Sequence, residues 1–465
     1  RGNVTQERRW DSAKGGSLPG IDGLTLSNAQ ILQRTYDTFG NLTDIYEPEV
    51  RTHITYNPLK DRVTRVDLGQ TPAQRSTVYT WNANQTALLS KTDLDNNLPT
   101  SYVYDHAGRR TVVDEAGLRK TETIYDDELR KVTVKSDLKA YEDGKLQSIT
   151  HYDQLGRVKL VQKSDGAALI NDTDGIRATT RQEYFTGGRR VVASTPYREL
   201  TDPAGKVRKQ KRDALGRMTE VVEDPSGLNY GTTYTYDPLD NLRQVDQGAQ
   251  TRTFSYSSLG RLTSATNPES GVTTYQYYDS GDLKKKTDAR GVLSEMTYDA
   301  LHRILTKTYS DTTPDVQYQY HLAGSSASPN IGQLKSVTSS AASTEYLSYS
   351  PLGQITCTRD TISGFEGYPT FNYDWYLNGA VKSVYYPSGR RVSYDVDDAG
   401  RTTKASVPGK TYMDLIQYAP DGRLTESKLG NNIWETREFL PPGSPTTYSF
   451  GTSAGAGNVL QLEYN

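Results

Sequence analysis

One formula recurs along this chain and governs every other reading of it. Between Tyr234 and Lys307 the sequence runs YTYDPLDNLRQV, FSYSSLGRLTSA, YQYYDSGDLKKK and MTYDALHRILTK. In each unit an aromatic residue is followed four positions later by Gly or a substitute, then by a small apolar residue among Arg, Lys or Thr. The pairs are Tyr236 with Asp240, Tyr256 with Gly260, Tyr277 with Gly281, and Tyr298 with His302, a period of 20 to 21 residues. A fixed period of this size is the mark of a repeat architecture, and takes precedence over any single motif.

Each unit holds a second turn midway, as at Asn267–Gly271 and Asp288–Gly291. Turn signals therefore fall every 10 to 11 residues, the spacing of short antiparallel strands. Asp and Asn bond their own downstream backbone, Pro presets φ, and Gly accepts positive φ. Between turns the pattern alternates. Over residues 271–278, Thr273, Tyr275 and Tyr277 share one face, while Val272, Thr274 and Gln276 share the other. A period of two is a strand period.

The formula extends through the whole chain. It appears around Tyr36 and Gly40, Tyr104 and Gly108, Tyr152 and Gly156, then at Gly216, Gly353, Gly379 and Gly400, and at Tyr418 and Gly422. Spacing loosens between 130 and 216, where 135–145 and 165–177 are expected to lengthen hairpin loops. Residues 9–28 are read as an insertion loop, and 440–457 as a Pro/Gly/Ser-rich loop. Both ends cut through a unit, so the 465 residues are expected to be a segment of a longer polypeptide. No segment has a 3.6-residue period, and almost no helix is expected.

Composition fits a folded but thin-cored chain. Hydrophobic residues make up 34%, yet there are 34 Tyr, and disordered chains lack aromatic residues. A net charge of −2 gives no electrostatic footprint for nucleic acid. No apolar run is long enough to cross a membrane as a helix. The lone Cys357 supports no disulfide framework and no cysteine metal cluster.

About 40 strands in one sheet would span on the order of 200 Å. Twisted open sheets rarely exceed about ten strands before curling or splitting. A propeller would need about eleven blades, above the usual range. A stack of sandwiches needs two apolar inner faces, which this composition does not supply. The expectation is an all-β chain of tandem antiparallel hairpins, forming a long curved sheet that spirals into a hollow shell or barrel.

The recurring Tyr-Asp-x-x-Gly-Arg-Leu-Thr formula resembles the YD-repeat or RHS-repeat family, over nearly the whole chain. That family includes bacterial RHS toxins, cocoon-forming components of insecticidal toxin complexes, and the teneurins. The resemblance implies a secreted or cell-surface structural shell that encloses a C-terminal toxin or effector lying outside this segment. The alternative is an extracellular adhesin binding a receptor or glycan. Bacterial members often close the shell with a self-cleaving aspartate domain. Asp202–Gly205 and Asp224–Gly227 share only its Asp-Pro-x-Gly element, so self-cleavage is not carried over.

No catalytic, cofactor or metal residue is assigned. Gly451-Thr452-Ser453-Ala454-Gly455 fits a nucleophile elbow, but no His follows His321, so a loop is the better reading. Asp172–Gly175 and Asp93–Asn96 lack the terminal Glu of a calcium loop and are read as acidic tips. Sequons at Asn3, Asn41, Asn84 and Asn171 matter only in a eukaryotic chain. The Tyr stripes are read as cross-strand ladders in preference to a sugar-stacking surface. The Arg after each turn glycine (Arg109, Arg157, Arg217, Arg261, Arg401, Arg423) is expected to lie over Asp and Tyr neighbours.

Overall fold

The structure, a computed structural model, describes residues 3–10, 29–47, 50–69, 74–163, 178–184, 197–201, 207–323, 329–365, 367, 369–419, 422–439 and 445–464. The described residues form 38 strands and no helix. No helix is long and apolar enough to cross a membrane. Successive strands within a run pair antiparallel, as Gln250–Tyr256 does with Leu262–Asn267, and Leu262–Asn267 with Gly271–Tyr277.

The turn after each aromatic explains the repeat. At Tyr256 the Gly260 amide donates to the Ser257 carbonyl at 3.0 Å, and the Ser257 amide to the Arg261 carbonyl at 2.8 Å. This is a type I turn closed by a bulge, and the register slips by one between Ser255 and Tyr256. The bulge places Gly260 at φ 71°, where a Cβ would crowd the backbone. The same slip precedes Tyr36, Tyr277, Tyr298 and Tyr418. Asp is favoured before the turn because its carboxylate caps the loop amides. Asp105 Oδ1 accepts from Ala107 N at 2.9 Å and Arg109 N at 2.8 Å.

Burial alternates along the strands. In Gly271–Tyr277 the residues Thr273, Tyr275 and Tyr277 are half-buried, while Val272, Thr274 and Gln276 are exposed. The core is sparse, and Ser383 and Ser427 are as fully buried as Leu138. A chain of this composition holds together mainly through its ladder of backbone hydrogen bonds and side-chain contacts along it.

The chain divides into two compact units: Arg1–Ser101 with Tyr234–Thr370, and Tyr102–Thr233 with Phe371–Asn465. Each unit thus joins an early run of hairpins to a late one.

Three of the expected loops differ in the structure. Of residues 9–28, Arg9 and Trp10 belong to the strand Gln6–Trp10; positions 11–28 lie outside the described residues. Of residues 440–457, Pro445–Gly451 is a strand paired with Trp434–Phe439. Pro445 is locally a loop signal, but Pro is tolerated at the first position of a strand. The expected loop 135–145 begins later, since Lys131–Ser136 is a strand, and 165–177 lies outside the described residues.

Candidate functional site

The recurring side chains are assembled into a stitch between successive hairpins. Tyr36, Tyr104, Tyr152, Tyr236, Tyr256, Tyr277, Tyr298 and Tyr418 each end their strand. Gly40, Gly108, Gly156, Gly216, Gly260, Gly281, Gly353, Gly379, Gly400 and Gly422 all have φ between 71° and 101°. The stand-ins Asp240 and His302 take the same conformation at 65° and 61°.

The arginine after the turn is gripped by the aspartate before it. Arg109 Nε lies 2.7 Å from Asp105 Oδ2, Arg217 Nε 2.7 Å from Asp213 Oδ2, and Arg401 Nε 2.8 Å from Asp397 Oδ2. The Arg109 guanidinium holds the Asp105 carboxyl below its ordinary range. The same arginine then covers the aromatic of the next hairpin. Arg109 lies 4.3 Å from the Tyr125 ring centroid, Arg303 4.2 Å from Tyr320, and Arg401 4.9 Å from Tyr418.

The aromatic in turn ties back to the previous hairpin. The Tyr277 hydroxyl donates to the Leu262 carbonyl at 2.8 Å, Tyr298 to Leu283 at 2.9 Å and Tyr418 to Thr402 at 2.6 Å. In each case the acceptor sits two residues past the turn glycine. Trp81 substitutes through its indole N–H, which donates to the Val63 carbonyl at 2.8 Å. Burial pushes the Tyr349 phenol up to about 12. The Tyr stripes are therefore not Tyr-on-Tyr ladders in the main. Their rings pack under arginine and their hydroxyls are spent on backbone.

A second feature joins the two runs inside each unit. In the first unit, Asn96 Nδ2 donates to the Ile331 carbonyl at 3.0 Å and the Ile331 amide donates to Asn96 Oδ1 at 3.1 Å. His302 Nδ1 lies 2.6 Å from Asp282 Oδ2, and its Nε2 4.0 Å from Glu47 Oε2. A Cβ at Gly332 would lie 2.4 Å from Arg75 Nη1. Beside these residues is a cavity of about 210 Å³ lined by Arg75, Asp93, Asn96, Arg303 and Gln333 among others. Its polar lining suits ordered water better than an apolar ligand.

The second unit has its own seam. Leu138 is fully buried against Tyr376 and Val396. The Leu377 amide donates to the Leu138 carbonyl at 2.8 Å, Arg119 Nη1 to the Leu377 carbonyl at 3.3 Å, and Lys145 pairs with Asp398 at 3.4 Å. In both units a midway turn of the early run meets a post-aromatic turn of the late run.

Comparison with known proteins agrees with this geometry. The RHS Repeat family model matches residues 236–272 and 277–314. The regular central block of this chain is thus built of RHS repeats. Its fold is that of the TcdB2-TccC3 crystal structure, at 12% identity and a TM-score of 0.66, over 99% of this chain and 32% of that one. The Photorhabdus luminescens Tc holotoxin pore matches at 11% identity and a TM-score of 0.64, over 99% and 32%. Double-stranded DNA deaminase toxin A of Burkholderia cenocepacia is 29% identical over 138 residues, which are 29% of this chain and 9% of that protein. The chain thus spans about a third of the solved relatives and a small part of the curated one.

Within the RHS framework the remaining candidate residues have structural places. Gly451 ends a strand, and Ser453 lies in a turn whose carbonyl accepts from Ala456 N at 3.1 Å, with no helix following. The Asp93 carboxylate is occupied by Arg75 and Asn96. Asp172–Gly175, Asp202–Gly205 and Asn171 lie outside the described residues. Asn41 Nδ2 donates to the Lys60 carbonyl at 2.7 Å, whereas Asn84 is exposed at a turn tip. Among the described residues, no group of three His, Cys, Asp or Glu could hold a metal ion. In the sequence Asn96 reads only as part of an acidic loop tip and Leu138 does not stand out, because partners some 235 positions away leave no periodic trace.

Proposed function

We propose that this chain is a stretch of structural wall in a larger RHS protein, and that the wall encloses or presents a toxin or effector carried by the same polypeptide. The observation that supports this reading most is the fold shared with TcdB2-TccC3 over nearly the whole chain. The curated relative is itself a toxin. The physical logic is sequestration: within each run the described strands are hydrogen-bonded to their neighbours, and stitches and seams close the spaces between hairpins. We place the protein outside the producing cell, secreted or on its surface.

The role is structural, not catalytic. Zinc-dependent nucleobase deaminases use a His-x-Glu element and paired cysteines. This sequence has one cysteine and no His-x-Glu, so deaminase chemistry would belong to another part of a related protein.

The test is limited proteolysis of the parent polypeptide, with and without the paired seam substitutions Asn96→Leu and Leu138→Glu. Cargo should resist protease in the intact protein and be cut once the seams are opened. Cargo cut equally fast in both would refute enclosure.

A further inference from the structure

The cavity of the first unit has more N–H groups to give than lone pairs to receive them. It holds about 210 Å³ and is lined by Arg75, Asp93 and Asn96 from the early run and by Arg303 and Gln333 from the late run, among others. Arg75 opens the strand Arg75–Trp81, and Arg303 directly follows the left-handed His302.

The carboxylates that hold these arginines are already spent. Asp93 Oδ1 accepts from the amides of Asp95 and Asn96 at 3.1 and 3.3 Å, and its Oδ2 accepts from Arg75 Nη2 at 2.7 Å and Asn96 Nδ2 at 3.0 Å. Asp299 Oδ1 accepts from the amides of Leu301 and Arg303 at 2.8 and 3.0 Å, and its Oδ2 meets Arg303 Nε at 2.8 Å and Nη2 at 2.6 Å. A carboxylate offers about four lone-pair positions, so both are saturated.

The guanidiniums are not saturated. Each carries five N–H groups. Arg303 spends a third on the Gly332 carbonyl, 3.1 Å from Nη1, and two remain. Arg75 turns Nε toward Asp95 at 3.5 Å, and its enclosed Nη1 has no partner. An enclosed donor without an acceptor is rare in a folded protein and calls for an explanation. Gly332 keeps the guanidinium's place open, since a Cβ there would lie 2.4 Å from Nη1. Water does not remove the surplus, because it brings two hydrogens along with its two lone pairs. An oxyanion only accepts, and the planar guanidinium fork matches its oxygens. The lining itself sets two positive charges against one negative.

We propose that this cavity binds a small oxyanion, a carboxylate or a phosphate, between Arg75 and Arg303. The bound anion bridges the early and late runs of the unit, so it raises the melting temperature of the chain as it fills the site. The site is independent of cargo enclosure.

The experiment is melting and titration calorimetry of the whole chain with sodium phosphate and with sodium acetate, each against sodium chloride at equal ionic strength. Saturable binding with a Kd on the order of 1 mM is expected. Saturation with phosphate, with acetate or with both supports the site and tells which oxyanion fits. Arg75→Gln should abolish binding, and Gln333→Glu, which adds a carboxylate to the lining, should weaken it at least tenfold. Arg290→Gln, outside the lining, should leave it unchanged. Circular dichroism checks the fold of each variant, and if Arg75→Gln unfolds, Gln333→Glu decides. Equal binding of chloride, or binding kept in full by Gln333→Glu, overturns the proposal. So does a melting rise that never saturates, which is general exclusion of salt from the surface.

Discussion

The side-chain amide of Asn96 is bonded at both ends to the backbone of Ile331, 235 residues later in the chain. Asn96 is buried and Ile331 half-buried, so an alanine at this position would strand both a donor and an acceptor of the Ile331 backbone. Asn96→Ala should cost about 2–4 kcal/mol in urea unfolding, the range for leaving two buried polar groups unpaired. Its neighbour Asn97 is exposed at φ 54°. Asn97→Gly should be neutral or slightly stabilising, since glycine accepts that conformation freely. Equal losses for the two variants would mean that the seam carries no stability of its own.

Arg303 tests the stitch between hairpins. Its Nε lies 2.8 Å from Asp299 Oδ2, its guanidinium covers the Tyr320 ring, and its Nη1 donates to the Gly332 carbonyl at 3.1 Å. Lysine keeps the charge but not the planar fork, so Arg303→Lys should lose about 1–2 kcal/mol. The Asp288–Arg290 pair has similar distances but its arginine stands in solvent. Arg290→Lys should leave the melting temperature unchanged. A shift as large as that of Arg303→Lys would assign the loss to charge geometry alone.

Local structure was largely legible in the sequence, and tertiary closure was not. Tyr256 and Gly260 announce a turn because each residue type answers a local demand: a strand-end ring, then a left-handed backbone. Asp240 and His302 stand where the formula has Gly, and both are residue types that tolerate the left-handed region better than most. The Arg–aromatic stitch could be anticipated because it repeats. Leu138 could not, because it sits in an atypical stretch and its neighbours Tyr376 and Val396 look like ordinary repeat residues. Pro445 was misplaced for the opposite reason, a local loop signal overruled by pairing with the neighbouring strand.

The turn conformation gives a clean comparison at Gly260. A Cβ there meets only Asn241 Oδ1, at 3.5 Å, so space is not the obstacle. The obstacle is φ 71°, which a β-branched residue adopts at a cost of about 1–3 kcal/mol. Gly260→Val should therefore unfold at lower urea than Gln276→Ala, an exposed mid-strand change. Gly260→Asn should fall between them, because Asn tolerates the left-handed region. Arg130 is the converse case, exposed at φ 49°, and Arg130→Gly should raise the melting temperature. Identical melting for Gly260→Val and Gln276→Ala would contradict the turn assignment.

Asp44 ties the stability of the fold to acid pH. Burial pushes its carboxyl up, but hydrogen bonds from His53, Arg51 and Thr35 outweigh that and hold it down at about 2. His53 Nδ1 lies 2.9 Å and Arg51 Nη2 2.8 Å from Oδ1, while the Thr35 hydroxyl donates to Oδ2 at 2.8 Å. An unfolded aspartate titrates at about 3.9. The folded chain thus binds this proton more weakly than the unfolded one. The stabilisation is complete above about pH 4 and is lost as pH falls toward 2. Asp44→Asn should melt earlier than the parent at neutral pH, and the two melting curves should converge between pH 4 and 2. A gap that persisted unchanged to pH 2 would show that the carboxylate's charge contributes nothing beyond its shape.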